Sequence, residues 1–252
     1  MCLIAVAWRA TPCRPLIVAA NRDEAHARPT APAAWWPDAP SILAGRDLSA
    51  GGTWLGVDRA GRFAAVTNLI AHGPPRAGIR SRGALVAGFL EGRESAAHYA
   101  ARIGAEVDAY GPFNLLVADR DELWFVGTRS PAYPLAPGVH AVSNVEPDVD
   151  WPKVTAARER LAEVVSVPEP DAALFALLAE RRPAENGYDA RQVSPFQLDP
   201  IWGTRSSTIL VVEADGRARF VERSFDPYGV AQGDAQFEFS IAAELGATRA
   251  SR

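Results

Sequence analysis

The sequence predicts an α+β fold in which antiparallel sheets are covered by helices. Short apolar runs come in pairs around turn signals, which is typical of β-hairpins, and helical segments also follow one another in pairs. A doubly wound parallel sheet would instead alternate single strands with single helices. The glycine-rich signatures of nucleotide-binding folds are absent from the chain. We expect one domain over residues 1–252, a length that a single hydrophobic core can accommodate.

Four hairpins account for most of the predicted strands. Residues 2–8 and 16–20 form the first, and because neither run alternates apolar with polar residues, both of its faces should be buried. The other strands are the paired runs 53–57 and 63–68, 113–118 and 123–127, and 209–213 and 218–225, with two single strands at 139–143 and 237–241.

Four helices are predicted between the hairpins, at residues 81–90, 94–103, 151–164 and 171–180. Ser81 and Asp171 are suited to cap two of them, and Pro152 fits the first turn of a third. Residues 25–52, which are rich in proline, alanine and glycine, are predicted to form a surface loop. Residues 183–203 are predicted to be irregular.

Composition and charge disfavour several classes of function. A net charge of −4 argues against binding to nucleic acids. Lys153 is the only lysine, which we attribute to codon bias because the arginines are scattered. The two cysteines, Cys2 and Cys13, form no disulfide framework or CxxC pair, and the histidines lack metal-ligand spacing, so we expect no metal and no required cofactor. No apolar run approaches the roughly 20 residues needed to span a bilayer, and no signal peptide is recognisable, which predicts a cytoplasmic protein without a transmembrane segment.

Cys2 is the residue most suggestive of chemistry. Methionine aminopeptidases generally remove Met1 before a small residue, and the mature chain would then begin with a thiol beside its own α-amino group. That amine has a reference pKa of about 7.7–8.0 and can serve as general base near neutral pH. The alternative is a small apolar residue at the start of a buried strand, which is the commoner role of a free cysteine.

The tetrapeptide NRDE at residues 21–24 follows the second apolar run. Pairing of the first two strands would bring Arg22 and Asp23 close to Cys2. A guanidinium there would lower the pKa of the thiol and favour the thiolate, while a carboxylate would orient the terminal amine. An exposed polar turn is the simpler alternative.

Strand ends supply further candidates. Asn68 and Asn144 each follow a predicted strand, where an amide can donate to a developing oxyanion or cap a turn. Gly52 and Trp54 open the second hairpin, either as a tight turn with a core tryptophan or as the edge of a substrate site. Arg205 lies in a polar segment before the last hairpin, where it could bind a carboxylate or belong to an ordinary loop.

Taken in order, these segments resemble the NRDE family, whose members are similar to transport and Golgi organisation protein 2. The resemblance rests on Cys2 within MCLI and on NRDE at 21–24, GGTWLG at 51–56, TN at 67–68, SRG at 81–83, FNLL at 113–116, SN at 143–144 and GTRSST at 203–208. It covers essentially the whole chain, and the order and spacing of the segments make it specific.

The resemblance implies the αββα sandwich of the N-terminal-nucleophile hydrolases, with penicillin and bile-acid amidases as similar enzymes. In that comparison Cys2 matches the nucleophile, while Arg22 and Asp23 match an arginine and an aspartate beside it. The amidases place two residues between this arginine and aspartate, whereas here they are adjacent. Glu24 is therefore an alternative to Asp23.

The remaining site residues match the amidases only by their order along the chain. Asn68 and Asn144 correspond to the asparagines of the oxyanion hole, and Arg205 corresponds to a late arginine that supports the site. These roles are implied by the resemblance.

Two functions follow as hypotheses. The first is a thiol amidohydrolase that cleaves the amide bond of a small acylated substrate through an S-acyl intermediate. The second, which the resemblance to the NRDE family implies, is a non-catalytic carrier of haem or of an acyl-coenzyme A or related lipid. Trp35, Trp36, Trp54 and Trp202 lie near glycine- and proline-rich segments, where they could line an apolar cleft or simply pack in the core.

Overall fold

A computed structural model describes residues 2–69, 80–147 and 149–241. Within these residues the chain forms thirteen β-strands and five α-helices. The strands are β1 (Leu3–Trp8), β2 (Leu16–Ala25), β3 (Thr30–Trp35), β4 (Ile42–Asp47), β5 (Leu55–Asp58), β6 (Phe63–Asn68), β7 (Phe113–Ala118), β8 (Leu123–Gly127), β9 (Ser130–Leu135), β10 (Gly138–Val142), β11 (Trp202–Val212), β12 (Arg217–Phe225) and β13 (Ala231–Ser240). The helices are α1 (Gly83–Glu91), α2 (Ala96–Ala105), α3 (Pro152–Val164), α4 (Asp171–Leu178) and α5 (Ala190–Val193).

The strands form two antiparallel sheets. Sheet I has the order β10-β1-β2-β11-β12-β13, and sheet II has the order β3-β4-β5-β6-β7-β8-β9. Neighbouring strands of both sheets pair in antiparallel register. The predicted α+β class with antiparallel sheets is therefore confirmed.

Three apolar cores define a four-layer sandwich. The central core lies between the sheets and joins residues such as Ile4 and Phe220 of sheet I to Leu43 and Phe63 of sheet II. A second core packs α1 and α2 on the outer face of sheet II. A third core packs α3 and α4 on the outer face of sheet I. This arrangement confirms the expected αββα sandwich.

The first strand shows how the sequence specifies these layers. All six residues of β1 are buried. Ile4 and Val6 enter the central core, whereas Leu3 and Ala5 pack beneath α3 and α4. Because side chains alternate across a strand, a strand with a core on each face must be apolar throughout. The prediction that both faces of the first hairpin are buried is confirmed.

The prediction of a loop over residues 25–52 is wrong, because this segment contains β3 and β4. β3 is an edge strand of sheet II, and its pairing with β4 shifts register between Ala31 and Ala34. Pro32 lies within that shift. Proline has no N–H for the ladder and is tolerated at edges and bulges, so the composition of an edge strand can imitate a loop.

Two other elements are missing from the sequence prediction. β9 is the second edge strand of sheet II and contains Pro131 and Pro134. The segment 183–203 is not wholly irregular, because it contains α5 and the start of β11. β11 starts early because it pairs with β2 as far as Ala25. This long-range pairing leaves no local pattern in the sequence.

The predicted longer helices are present, with small shifts at their ends. α1 begins at Gly83, whose N–H donates to Ser81 Oγ at 3.3 Å, although the N-cap position itself is Arg82. The α2 N-cap is Ser95, whose side chain accepts from a backbone N–H of the first turn. Asp171 lies in the first turn of α4 instead of capping it.

Gly52 allows the chain before β5 to touch the start of α1. A Cβ atom at this position would lie 2.5 Å from the carbonyl carbon of Gly83. We predict that Gly52→Ala lowers the free energy of unfolding by roughly 1–3 kcal/mol, because the backbones must separate. Denaturant titration measures this change.

Gly104→Ala is the matched control for this substitution. The site is exposed on α2, and the nearest atoms would lie 3.9 Å from the added Cβ. We expect unchanged stability, or a gain of up to about 1 kcal/mol from helix propensity. Equal losses in the two variants would contradict the close-approach argument.

Candidate active site

The pairing of β1 with β2 determines where Cys2 lies. Leu3 pairs with Asn21, so the residue before Leu3 lies beside the residues that follow Asn21. The Cys2 thiol donates a hydrogen bond to the backbone carbonyl of Asp23 at 3.7 Å. The structure therefore brings Cys2 together with Arg22 and Asp23.

Burial dominates the electrostatics of the thiol. Cys2 is 8% exposed, and loss of hydration raises the pKa of its thiol because the thiolate is no longer stabilised by water. The Asp23 carboxylate raises this pKa further, whereas the Arg22 guanidinium lowers it. Positive charge close to Cys2 is therefore needed to favour the thiolate.

Arg22 is held in place by neighbours on its own side of the sheet. Its Nη1 donates to Thr30 Oγ1 at 3.3 Å, and its Nη2 lies 3.9 Å from Glu24 Oε2. The same Glu24 oxygen lies 3.9 Å from Nε of Arg28. Glu24 thus faces two guanidinium groups, and Asp23 is the carboxylate that acts electrostatically on Cys2.

Asp23 is a buried carboxylate between β11 and α3. Its Oδ1 accepts a hydrogen bond from Thr204 Oγ1 at 2.7 Å. Burial raises the pKa of this carboxyl, while the Lys153 ammonium and the Thr204 hydroxyl lower it. Arg22 and Asp23 are adjacent in β2 and therefore act from opposite faces of sheet I.

Hydrogen bonds from both sheets fix the backbone of Cys2. Ser143 Oγ donates to the carbonyl oxygen of Cys2 at 2.7 Å. The carbonyl oxygen of Ser143 in turn accepts from Thr67 Oγ1 at 2.6 Å and from Asn114 Nδ2 at 3.0 Å. Thr67 and Asn114 belong to sheet II, so the network ties the start of β1 to the opposite sheet.

Asn68 and Asn144 approach the site together. Asn144 Nδ2 donates to the backbone carbonyl of Asn68. Asn144 is buried, whereas the Asn68 side chain is exposed. Within the described residues, Asn144 Oδ1 has no hydrogen-bond partner. Both asparagines line the same cavity as Cys2.

Arg205 supports the turn that follows β2. Its Nη1 donates to the carbonyl oxygens of Ala25, His26 and Arg28 at 2.9, 3.0 and 3.2 Å. The side chain also lines a cavity that reaches Cys2. These hydrogen bonds support the chain at the end of β2.

Two cavities meet at Cys2. The larger has a volume of about 1130 Å³, and the smaller has a volume of about 520 Å³. Cys2, Asp23, Glu24 and Asn68 line both cavities. A molecule bound with its reactive centre at the thiol can therefore extend in two directions.

Only two of the four candidate tryptophans line these cavities. Trp54 lines the larger cavity and Trp202 lines the smaller one. Trp35 packs edge-on against Phe239, with ring centroids 5.2 Å apart, beside the central core.

The predicted binding roles of Trp35, Trp36 and Gly52 need correction. Trp36 is buried in the core beneath α1 and α2, and its indole N–H donates to the carbonyl of Ala44 at 3.1 Å. Trp35 and Trp36 therefore serve packing. Gly52 lies outside the cavity walls and accommodates the close approach to Gly83.

Positive side chains are abundant around the larger cavity, whose lining includes Arg22, Arg28, Arg46, Arg80, Arg82, Arg129 and Arg205. Arg82 and Arg205 differ from the others because neither forms an ion pair with a carboxylate in the described part of the chain. Burial lowers the pKa of both guanidinium groups. These two cations are available to an anionic group in the cavity.

Lys153, Thr204 and Arg82 are near the site but are not among the residues predicted for it. A signal for Lys153 was present, because its spacing to Ala157 and Leu161 puts it on the apolar face of α3. Thr204 and Arg82 lie inside family segments, but only the fold shows that they turn towards the site.

Metal ligation and membrane crossing have no counterpart in the described residues. Their side chains form no cluster of three or more histidine, cysteine, aspartate or glutamate residues that could hold a metal ion. None of their helices combines the length and apolar character needed to cross a membrane.

Comparison with solved structures defines the class of fold. The chain superposes on an N-acylethanolamine-hydrolyzing acid amidase (NAAA) ortholog of Caenorhabditis elegans with a TM-score of 0.50. The alignment covers 84% of this chain and 92% of that one at 12% sequence identity. The protein thus has an N-terminal-nucleophile-hydrolase-like fold.

Comparison of sequences defines the family. The profile of the family described as Transport and Golgi organisation 2 matches residues 1–227. The Transport and Golgi organization protein 2 homolog of Bos taurus is 34% identical over 239 residues, covering 83% of this chain and 86% of the relative. The Homo sapiens homolog is 32% identical over 240 residues with the same coverage, and the Drosophila melanogaster protein is 25% identical over 262 residues, covering 85% and 88%. The chain belongs to the Transport and Golgi organisation 2 family.

Glu222 is a buried carboxyl in the wall of the larger cavity. Its Oε1 accepts from the N–H of Ala33 at 2.7 Å, and its Oε2 accepts from Thr208 Oγ1 at 3.4 Å. Burial nevertheless raises the pKa of this carboxyl above its ordinary value. The folded protein therefore holds this proton more tightly than the unfolded chain does. The stabilisation that comes from this tighter proton binding at Glu222 is present at low pH. It is lost as pH rises through the raised pKa of the folded state.

We predict that Glu222→Gln becomes progressively more stable relative to wild type as pH rises from about 4 to about 8. The relative gain in free energy of unfolding should be on the order of 1 kcal/mol or more, because the variant has no charge to bury. Urea titrations at the two pH values measure it. Glu238→Gln, at an exposed position of β13, is the matched control. A Glu222→Gln variant that loses relative stability with rising pH would contradict the prediction.

Proposed function

We propose that this protein is an N-terminal thiol amidohydrolase with Cys2 as its nucleophile. The observation that carries the proposal is the position of the Cys2 thiol, which lies at the junction of two cavities with Arg22 and Asp23 beside it. The substrate class is a small acylated amine whose amide carbonyl reaches the thiol. No cofactor takes part, because the chain itself supplies nucleophile, base and hydrogen-bond donors.

The proposed reaction has two steps. The Cys2 thiol, once Met1 is removed, transfers its proton to the adjacent α-amine, and the sulfur attacks the amide carbonyl carbon. The C–S bond forms, the C–N bond breaks, and the α-ammonium protonates the departing amine. Water, deprotonated by the same α-amine, then hydrolyses the thioester and regenerates the thiol. Met1 itself lies outside the described residues.

The surrounding side chains have roles that follow from their positions. Arg22 lowers the pKa of the thiol and favours the thiolate. The Thr204 hydroxyl donates to Asp23 and holds this carboxylate in place. The carboxylate of Asp23 in turn orients the α-amine. The amides of Asn68 and Asn144 donate to the oxyanion that develops on the carbonyl oxygen.

Charge in the larger cavity narrows the substrate class. Arg82 and Arg205 line this cavity, and each lacks an ion pair with a carboxylate of the described chain. An acyl or amine moiety that carries a carboxylate or phosphate would complement them. The Caenorhabditis elegans protein with this fold is an N-acylethanolamine-hydrolyzing acid amidase ortholog, which also supports amide hydrolysis as the chemistry.

A carrier of haem or of an acyl-coenzyme A is the second candidate. It is favoured by the volume of the larger cavity, about 1130 Å³, which exceeds what a small amide requires. Its arginines would pair with the propionates of haem or the phosphates of coenzyme A. In this alternative Cys2 is either an iron ligand or a remnant of an ancestral site.

A screen of N-acyl amides, with and without anionic groups, tests the first candidate. We predict that the chain hydrolyses at least one of them, and that Cys2→Ser lowers kcat by about 10²-fold or more, because an alcohol is a far weaker nucleophile than a thiolate. Product amine is measured by mass spectrometry. Cys13→Ser is the matched control, because Cys13 is an exposed cysteine remote from the cavity lining, and it should retain full activity.

Turnover that survives Cys2→Ser unchanged would contradict the proposed nucleophile. Absence of turnover with every amide, together with saturable binding of haem or palmitoyl-coenzyme A that is equal in wild type and Cys2→Ser, would favour the carrier. Absorbance titration measures haem binding, and calorimetry measures binding of palmitoyl-coenzyme A.

A further inference from the structure

Lys153 is the only lysine of the chain, and its side chain is fully buried at 0% exposure. It is the second residue of α3, and its Nζ lies 5.5 Å from the ring centroid of Trp151. Trp151 lines the smaller cavity together with Cys2 and Asp23. The ammonium group therefore lies close to the wall of this cavity.

This position is unfavourable for a cation unless negative groups offset it. A buried ammonium loses its hydration, and the first turn of a helix already carries partial positive charge from its backbone N–H groups. The groups that attract Lys153 are, in decreasing order of effect, Asp23, Cys2 and Asp189. Two of these three belong to the candidate active site.

Packing alone does not require a charge at this place. α3 packs against sheet I through Val154, Ala157 and Leu161, and an apolar residue at position 153 would extend that face. A titratable group that is desolvated and paired with a specific charge beside a cavity is characteristic of functional sites. The location of Lys153 points to a role in the chemistry of Cys2.

We propose that Lys153 is a positioning residue for the Cys2 nucleophile, whose ammonium group keeps Asp23 ionised and offsets its charge, so that the α-amine of mature Cys2 remains unprotonated near neutral pH. This inference rests on the proposed function. It assigns to the outer helical layer of α3 and α4 a direct electrostatic effect on the site.

The physical reason is a conflict between the two tasks of Asp23. A carboxylate that orients the α-amine also raises its pKa, and a protonated amine cannot act as general base. A cation that acts electrostatically on Asp23 from α3 reduces this effect. The same cation favours the thiolate of Cys2, alongside Arg22 and Arg82, which also interact electrostatically with the sulfur.

The first test is the pH dependence of Cys2 alkylation by iodoacetamide. It uses the mature chain that begins at Cys2, in a Cys13→Ser background so that Cys2 is the only thiol. We expect Lys153→Met to move the midpoint of the alkylation profile upward by about one pH unit and to slow alkylation about tenfold below that midpoint. Lys153→Arg, which keeps the charge, should restore most of the rate.

Circular dichroism and the thermal midpoint show whether each variant is folded. An unchanged alkylation midpoint in folded Lys153→Met would overturn the proposal, because a purely structural ion pair would alter stability alone. Alkylation does not depend on turnover. If Lys153→Met moves the alkylation midpoint as expected but the protein hydrolyses no amide, the proposed function is refuted. The role of Lys153 is then still supported.

The second test needs no Lys153 variant and covers the case in which Lys153→Met does not fold. Protein labelled with ¹³C-lysine gives a single lysine side-chain signal, because the chain contains one lysine. We expect the Cε shift of an ammonium group at pH 7, and we expect this signal to move on alkylation of Cys2 and in Asp23→Asn. A neutral amine at pH 7, or a signal insensitive to both changes, would overturn the proposal.

Discussion

The antiparallel pairing of β1 with β2 is the constraint on which the candidate site depends. Both strands are covered by apolar cores on two faces, so their register cannot slip without moving apolar side chains to the wrong layer. That register pairs Leu3 with Asn21 and brings Cys2 beside the polar end of β2. The site is thus placed by the core of the sandwich, and the loops around it provide the cavity walls.

Charge at the site is distributed between the two faces of sheet I. Arg22 acts from the side of the central core, while Lys153 approaches Asp23 from α3 on the outer side. Such buried charges cost free energy unless each has a partner. Their retention beside a thiol at the junction of two cavities is the reason to regard this end of the sheet as chemically active. In the proposed mechanism the fold holds the ionised forms in place, and the amino terminus of the mature chain accepts and returns the proton.

Local patterns predicted the parts of the fold that short-range chemistry controls. The apolar runs of β1 and β2 revealed a doubly covered hairpin, and the pairing of these strands placed Arg22 and Asp23 close to Cys2. The edge strands β3 and β9 escaped prediction because their prolines resemble loop composition. These two strands form because the neighbouring strand of sheet II offers unpaired backbone groups.

Prediction of the site is also limited by contacts between residues that are distant in the sequence. Lys153 follows the apolar spacing of α3, but its meaning depends on Asp23, which lies far away in the sequence and close in the fold. Trp35 and Trp36 were grouped with Trp54 on composition alone, whereas the structure divides them between core and cavity. Which face a side chain occupies is decided by sheet topology, and a single sequence contains little direct information about it.

The proposed role of Cys2 as the terminal nucleophile of the mature protein can be tested by intact-mass spectrometry of the purified chain, before and after incubation with a p-nitrophenyl acyl ester. We predict a mass that lacks one methionine residue and then gains a single acyl group, which peptide mapping locates on Cys2. A chain that retains Met1, or an acyl group found only on other residues, would contradict the account.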